Sequence, residues 1–205
     1  MKKNSAWNKW NDMLLAVFLI LTLFFILYLM PAGSLNIWTG AFILCIIIPT
    51  LRALIKGAPF VPTPMLRVQK MLKLANIKKD EKVFDIGCGD GRMVYLAAKE
   101  YGAKATGLEL SPLVYFLAKI RQLLWRSKAK ILFRDFHSYS LQDADVVVCY
   151  LLPETLINLQ SKLEKELKKG ARVVSYAFKV GDWQESHREE RDTVNNMAPI
   201  WVYER

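Results

Sequence analysis

The sequence predicts an α/β protein in which a doubly wound, mostly parallel sheet follows an amino-terminal pair of membrane-spanning helices. Three observations support this prediction. Short apolar stretches alternate with helical patterns from residue 57 onwards, which is typical of a parallel sheet with helices on both faces. The first of these stretches runs into a glycine-rich loop, VFDIGCGDGRM. Two uncharged apolar runs precede the alternating part of the chain.

The two apolar runs define an amino-terminal anchor. Met13 to Met30 carries no charge, and at about 1.5 Å per residue a helix of this length nearly spans a hydrocarbon core. A second uncharged run follows the helix-breaking turn Pro31-Ala32-Gly33-Ser34. We therefore predict a membrane anchor over residues 1–56, with spans at about 13–30 and 35–55. A linker over 57–64 and a folded domain over 65–205 complete the chain.

Basic residues flank both ends of this helical pair, and its connecting turn carries no charge. The flanking residues are Lys2, Lys3, Lys9, Arg52, Lys56, Arg67 and Lys70. Because positive charge marks the cytoplasmic side, we expect both ends and the folded domain to lie there. Two alternatives remain at this point, a cleaved signal peptide and a buried core hairpin. The first run is longer than a usual signal-peptide core, and a second run follows it at once.

The charge and the cysteine content argue against a nucleic-acid-binding protein, a disulfide-rich protein and a metalloprotein. The net charge is +10, and it stays positive when residues 1–56 are removed. No zinc-ligand spacing, aromatic RNA-binding pattern or basic repeat accompanies this charge, so we expect a lipid bilayer as a partner and no nucleic acid. The three cysteines form no CxxC pair and the two histidines are isolated. These features predict neither a disulfide framework nor a metal site.

Periodicity and turn signals predict the elements of the domain in order. Thr63-Pro64 predicts an N-cap, a first-turn proline and a helix to about Ala75. The predicted elements that follow are a strand Lys82–Ile86, a helix Arg92–Tyr101, a strand Ala105–Leu110, a helix from Ser111-Pro112 to about Trp125, strands Ile131–Arg134 and Ala144–Tyr150, a helix from Pro153 that Gly170 ends, a strand Ala171–Phe178, and a terminal antiparallel pair, Arg191–Val194 and Ile200–Glu204.

The glycine-rich loop follows the first strand, where folds of this class bind ligands. Glycines let a ligand approach the backbone, and the start of the next helix presents N–H groups. A dinucleotide-binding fingerprint would have its third glycine at the position of Arg92. Asp85 would repel a pyrophosphate but accepts hydrogen bonds from an amine, and Glu109 is placed to bind ribose hydroxyls. This combination predicts S-adenosylmethionine as the cofactor.

Two motifs carry a resemblance to a known family. DIGCGDGR resembles motif I of the class I, seven-strand methyltransferases, and GLELSP resembles their second motif. The resemblance implies a Rossmann-like seven-strand sheet and a methyltransferase activity. The cofactor residues that it implies are Asp85, Gly87, Cys88, Gly89 and Gly91 at the methionine end, Glu109 at the ribose, and Asp135 and Phe136 at the adenine.

Shorter motifs resemble the small protein-lysine methyltransferases that act on the ATP synthase c-subunit and the adenine nucleotide translocase. These motifs are PFVPTP at 59–64, YLLPE at 150–154 and GARVVSYAF at 170–178, with a tryptophan at 183. The resemblance implies a lysine in a membrane-associated protein as substrate. It indicates Phe60, Thr63, Pro153, Tyr176 and Trp183 as substrate-binding residues, although aromatic residues beside a strand are also common in protein cores.

The catalytic residues are less well defined by the sequence. Tyr150 stands where amino-methylating relatives place the first residue of a D/N-P-P-Y loop, and YLLPE lacks that Asp or Asn. The substrate amine would then be oriented by carbonyls around Leu151 and Leu152, by the Tyr150 hydroxyl, or by Glu154. Glu154 is equally explained as a first-turn acid that stabilises its helix. Two further functions remain possible at this point, a lipid or quinone methyltransferase and a catalytically silent, membrane-tethered scaffold.

Overall fold

The computed structural model describes residues 60–205, together with positions 40, 44, 45 and 48. Apart from these four positions, the predicted anchor and both its spans lie outside the described residues, as do residues 57–59 of the predicted linker. No helix within the described part of the chain has the length and apolar character needed to cross a bilayer.

A seven-stranded sheet with strand order β3-β2-β1-β4-β5-β7-β6 organises the carboxyl-terminal domain. The strands are β1 (Lys82–Ile86), β2 (Lys104–Glu109), β3 (Lys130–Phe133), β4 (Val146–Cys149), β5 (Arg172–Tyr176), β6 (His187–Glu189) and β7 (Ile200–Glu204). The helices are α1 (Met65–Leu74), α2 (Arg92–Tyr101), α3 (Pro112–Leu124) and α4 (Pro153–Glu166). β1 to β5 are parallel, and β7 pairs antiparallel with both β5 and β6. The predicted doubly wound α/β sheet is confirmed.

Two hydrophobic clusters cover the opposite faces of the sheet. α1 and α2 bury Val68, Met71 and Val94 against one face, together with Ala118 of α3. α4 buries Leu156, Leu159 and Leu163 against the other face. These leucines recur at intervals of three and four residues, so one stripe of the helix meets the sheet. The helices thus lie on both faces, as the alternation of strands and helices predicts.

The carboxyl ends of the parallel strands meet at one edge of the sheet, called the carboxyl edge below. The strand order runs from β1 through β2 to β3 in one direction and from β1 through β4 to β5 in the other. Connections after β1 and β4 therefore leave toward opposite faces, which opens a cleft between them. The glycine-rich loop follows β1 at this point, so the fold places it where α/β proteins bind ligands.

The predicted bounds of β2, β3, β4 and β5 differ from the observed ones by one or two residues, and those of α1 and α4 differ as well. α1 begins at Met65 with Pro64 at the N-cap, and Thr63 makes no capping bond through its side chain. The carbonyl of Thr63 instead accepts a hydrogen bond from Arg92 Nη1 at 2.7 Å. α4 ends at Glu166, ahead of Gly170, which has φ +78° in the turn that leads to β5.

The amino-terminal member of the predicted terminal pair is also misplaced. β7 pairs with His187–Glu189, whereas Arg191–Val194 lies in the turn between the two strands. An isolated bridge between Asp192 and Met197 closes this turn. β6 is an edge strand with no buried face, so it carries no apolar alternation that a pattern could detect.

Candidate active site

Backbone conformation explains the glycines of the loop between β1 and α2. Gly87, Gly89 and Gly91 all have positive φ, a backbone conformation that residues other than glycine rarely adopt. At Gly89 a β-carbon would also lie 2.8 Å from the Phe60 ring. The loop therefore presents bare backbone at the carboxyl edge, with an aromatic ring resting on its middle glycine.

Glu109 at the end of β2 is bonded to this loop. Its Oε2 accepts the Gly89 N–H at 3.0 Å, and its Oε1 accepts the Ser111 N–H at 2.7 Å. The carboxylate is nearly buried, and burial raises the pKa of Glu109 although these backbone hydrogen bonds act to lower it. Each oxygen keeps a further lone pair, so the group remains able to accept ligand hydroxyls.

Asp85 lies on the same face of the sheet as Glu109. Asp85 is in register with Gly107 of β2, and alternate residues of a strand point to the same side. Asp85 is 2% exposed, and no hydrogen bond within residues 60–205 acts to lower its pKa. Burial raises the pKa of Asp85 well above its usual value, and the negative charges of Glu109 and Asp90 add to this effect. A cationic group bound here would compensate the cost of ionising this acid.

Cys88 is buried in the hydrophobic cluster that α1 and α2 form on one face of the sheet. A β-carbon at Gly107 would lie 2.6 Å from the Cys88 Sγ, so the glycine in β2 provides the space for this side chain. Burial raises the pKa of the Cys88 thiol well above its usual value, and the charge of Asp85 adds to this effect. The thiol is therefore uncharged and packs in this cluster, and a part for Cys88 in cofactor binding stays a prediction.

Sequence patterns missed a buried ion cluster beneath the loop. Arg92 Nε donates to Asp90 Oδ1 at 2.9 Å, and Arg121 of α3 lies 2.9 Å from Asp90 Oδ2. Asp90 and Arg92 are buried, and Arg121 is nearly so. Arg92 also reaches the carbonyl of Thr63, so the cluster joins the loop, α3 and the segment before α1. In the sequence, the one indication of this cluster is Arg92, which stands where a dinucleotide-binding fingerprint would have its third glycine.

The predicted adenine residues follow the edge strand β3. Asp135 Oδ1 accepts the backbone N–H of His137 at 3.0 Å, which closes a local turn. Phe136 is buried in the cluster on the α4 face, with its ring centroid 4.5 Å from that of His137. β3 is in register with β2 so that Glu109 lies opposite Phe133. The structure thus brings Asp135 to the same edge as Glu109, and its role in adenine binding stays a prediction.

Tyr150 and Tyr176 form an aromatic pair at the ends of β4 and β5. Their ring centroids are 4.8 Å apart and their planes meet at 73°. Tyr150 is followed by Leu151, whose Cδ2 would lie 3.0 Å from a β-carbon at Gly87, so the chain after β4 passes the glycine loop. Burial, followed by the neighbouring Tyr176, raises the pKa of Tyr150. Its hydroxyl is therefore neutral near pH 7, and it is available as a hydrogen-bond donor or acceptor.

The other predicted substrate residues fall into two groups. Phe60 and Thr63 border the glycine loop, through the Phe60 ring and the bond from Arg92 to the Thr63 carbonyl. Trp183 instead packs on Tyr203, with ring centroids 5.4 Å apart, in the cluster on the α4 face. The structure therefore does not bring it together with Tyr150 and Tyr176.

α4 begins beside this edge and carries two more of the predicted residues. Pro153 is its first residue, and Glu154 is exposed in its first turn. The Leu152 carbonyl accepts the first helical hydrogen bond, from Leu156 N–H at 3.1 Å. Of the groups proposed to orient an amine, the Leu152 carbonyl is thus already engaged in the helix, and the roles of the Leu151 carbonyl and the Tyr150 hydroxyl stay predictions. Glu154 occupies a position that the helix dipole alone explains.

A sequence profile described as the ANTKMT methyltransferase domain matches residues 85–187, which include the glycine loop, both acids and the tyrosine pair. The chain belongs to this family. A protein-lysine N-methyltransferase of Saccharolobus islandicus (strain REY15A) is 37% identical over 149 residues, which cover 70% of this chain and 92% of the archaeal protein. The human lysine N-methyltransferase named for the ATP synthase c-subunit is 31% identical over 150 residues, and this match spans 71% of this chain and 61% of the human protein.

A solved structure supports the same family at the level of the fold. An RNA methyltransferase from Salinibacter ruber, in complex with S-adenosyl-L-homocysteine, superimposes with a TM-score of 0.65 and is 29% identical. The match covers 70% of this chain and 93% of that protein. The family member described here is thus an S-adenosylmethionine-dependent methyltransferase with the seven-strand fold of such enzymes.

The residues at the carboxyl edge fit this cofactor. S-adenosylmethionine has an ammonium group and a sulfonium group at one end and ribose hydroxyls near its centre. Asp85 is a buried acid whose pKa no hydrogen bond within the described domain acts to lower, and Glu109 is an acid held in place by two backbone N–H groups. No cluster of metal-binding side chains is found among the described residues.

Proposed function

We propose that the protein transfers a methyl group from S-adenosylmethionine to the side-chain nitrogen of a lysine in a membrane-associated protein. The observation that carries this proposal is the aromatic pair of Tyr150 and Tyr176, which lies at the ends of β4 and β5 where the chain after β4 passes the glycine loop. The archaeal and human relatives, both of them lysine N-methyltransferases by name, support a lysine as the acceptor.

The chemistry requires a neutral amine. A lysine with a reference pKa of about 10.4 is almost fully protonated at pH 7, and removing the proton costs about 4–5 kcal/mol. A partly buried aromatic site lowers this cost, because burial disfavours the ammonium form. When bound, the cofactor supplies an electrophilic methyl group on a cationic sulfur.

The protein's own residues would hold and orient the amine. Tyr150 is partly exposed and packs on the buried Tyr176, and its ring face would attract an ammonium group by cation–π interaction. The neutral Tyr150 hydroxyl is able to accept a hydrogen bond from the amine N–H, which would orient the nitrogen lone pair toward the methyl group. Phe60, resting on Gly89, would exclude water from the other side of the loop. Asp85 and Glu109 would fix the cofactor, with Asp135 at its adenine end.

We further propose that residues 1–56 anchor the enzyme in a membrane, with both ends on the cytoplasmic side. The two uncharged runs and the basic residues that flank them support this proposal. A cysteine introduced at Ser34 should react with an impermeant thiol reagent from outside intact cells, whereas one at Lys78 should not. Labelling of the cysteine at Lys78 alone would indicate the opposite orientation, with the folded domain outside.

Substrate class is tested by following the methyl group. The full-length protein in detergent is incubated with isotope-labelled S-adenosylmethionine and a membrane extract, and label is then measured in protein, lipid and RNA fractions. We expect label in protein, and we expect Tyr150→Phe to reduce its rate of incorporation while leaving cofactor affinity unchanged. Label in the lipid fraction would identify a lipid or quinone methyltransferase. Label in RNA would exclude the proposed acceptor, and no label with intact cofactor binding would indicate a silent scaffold.

A further inference from the structure

α3 exposes an apolar face that the fold does not cover. Ala118 is its only fully buried hydrophobic residue among those described. Phe116 is 64% exposed and Leu123 is 78% exposed. The exposed apolar side chains recur at helical spacing along the whole element; they are Leu113, Phe116, Ile120, Leu123 and Leu124, and we call them the α3 apolar face. Such a contiguous surface marks an interaction site.

The charges around this face are all of one sign. Between residues 112 and 134 the chain contains no acidic residue. The exposed basic side chains of this segment are Lys119, Arg126, Lys128, Lys130 and Arg134. A second copy docking through the same face would bring two basic rims together, which is unfavourable. A negatively charged, apolar partner matches both features.

A depression at the end of α3 adds a place for an anionic group. It has a volume of about 430 Å³ and is lined by Lys119, Gln122, Leu123, Arg126 and Ser127. Two cations and two polar side chains thus adjoin one of the most exposed leucines of the α3 apolar face. Phosphate headgroups and acyl chains are found side by side at a bilayer surface, in the same arrangement.

We propose that the α3 apolar face docks on a bilayer containing anionic lipid. α3 lies parallel to the membrane, its leucines and Phe116 enter the acyl region, and the basic rim contacts headgroups. Ser111, directly before α3, bonds to Glu109, so this docking brings the carboxyl edge of the sheet to the bilayer surface. A lysine at the membrane boundary then lies within reach of the tyrosine pair. The docking itself does not depend on the proposed lysine acceptor.

The test uses full-length protein in vesicles, with a nitroxide label at Leu123→Cys and Cys45→Ser as background. Cys88 and Cys149 are buried and will not react. Collisions of the label with oxygen and with a water-soluble nickel chelate report whether it is in lipid or in water. We expect the label to be in lipid with phosphatidylglycerol-containing vesicles and in water with phosphatidylcholine alone. A label at Val194→Cys, which is 92% exposed on the turn before β7, should stay in water in both.

Charge reversal provides a matched control. Lys128→Glu with Lys130→Glu should return the Leu123 label to water, whereas Lys165→Glu with Lys169→Glu, on and after α4, should not. A Leu123 label that stays in water with anionic vesicles overturns the proposal. A Leu123 label that is shielded from both oxygen and the nickel chelate also overturns it, because protein then covers the face. Flotation of the same vesicles shows separately whether the amino-terminal anchor holds the protein on the membrane. The proposed methyltransferase function is tested separately, by incorporation of the isotope-labelled methyl group.

Discussion

The carboxylate of Glu109 accepts the backbone N–H of Gly89 at 3.0 Å, which joins the end of β2 to the loop that follows β1. The same carboxylate accepts the Ser111 N–H through its other oxygen. One side chain therefore sets the positions of two neighbouring segments at the carboxyl edge. A ligand that lies along this edge would contact the loop and the acid together.

Replacing Glu109 tests this arrangement. Glu109→Gln keeps the shape of the side chain but removes its charge. Its amide NH2, itself a donor, would also face one of the two backbone N–H donors. Hydrogen bonds to charged groups contribute about 1.5–3 kcal/mol, so we expect cofactor affinity to fall by about 10–100-fold. Titration calorimetry measures the affinity. Glu100→Gln, exposed at the end of α2, is the control, and an equal loss in the two variants would disprove the role of Glu109.

Asp85 is predicted to destabilise the ligand-free fold while it favours cofactor binding. Its pKa is raised in the folded, ligand-free protein, so ionising it at neutral pH opposes folding. Below the unfolded-state pKa the carboxyl group is protonated in both states and this cost is absent, and the cost develops as pH rises through the higher folded-state pKa. Asp85→Asn should therefore unfold at higher urea concentration than the parent at pH 7, with the difference shrinking as pH falls toward about 4, near the ordinary pKa of aspartate.

Cofactor affinity of the same variant completes this prediction. The Asp85→Asn side chain lacks the charge that would balance a cationic ligand, so binding should be lost although the domain is more stable. In the parent, binding should weaken as pH falls through the raised pKa of Asp85. An Asp85→Asn variant that is less stable at pH 7, or that binds the cofactor normally, would argue against this role.

Gly89 and Gly170 allow backbone strain to be separated from close contact. Both have positive φ, but a β-carbon at Gly89 would meet the Phe60 ring, whereas at Gly170 nothing lies within 4 Å. Each alanine substitution should cost about 1 kcal/mol of stability from the backbone. Only Gly89→Ala should also lower cofactor affinity, by about 10-fold or more. Equal affinities in the two variants would show that the bare backbone of Gly89 is not required.

The buried cluster of Asp90, Arg92 and Arg121 should stabilise the loop. Asp90→Asn leaves two arginines without their acid, and breaking a buried ion pair in this way costs about 3–5 kcal/mol. Urea unfolding measures the loss. Asp143→Asn removes the partner of Lys82 in an exposed pair and should change stability little. A similarly small effect of Asp90→Asn would show that the cluster does not hold the loop.

Sequence patterns predicted the elements that are buried and locally encoded. β1 and α2 have the predicted bounds, because a run of buried strand residues and an amphipathic helix each leave a clear signal. The two acids at the strand ends were found for the same reason, since strand ends fix their positions. The family resemblance, and with it the cofactor, also followed from these local motifs.

The remaining features depend on contacts between distant residues. Thr63 looks like an N-cap in the sequence. In the structure its carbonyl accepts a hydrogen bond from Arg92, and α1 begins at Met65 with Pro64 at the N-cap. Arg121 lies in the last turn of α3 and meets Asp90 only in the folded domain. The family resemblance indicates Trp183 as a substrate-binding residue, yet the β5–β6 connection carries it to Tyr203 on the α4 face. None of these contacts leaves a periodic signal.

Whether the acceptor is a lysine nitrogen is decided by the chemical form of the transferred methyl group. Protein labelled in membrane extract by the full-length enzyme is acid-hydrolysed, and the labelled amino acids are identified by mass spectrometry, with Asp85→Asn as the blank. We predict label in mono-, di- or trimethyl-lysine with the parent enzyme and none with the blank. Label in methyl-arginine or methyl-histidine, or as a base-labile ester lost before hydrolysis, would overturn the assignment of lysine as the acceptor.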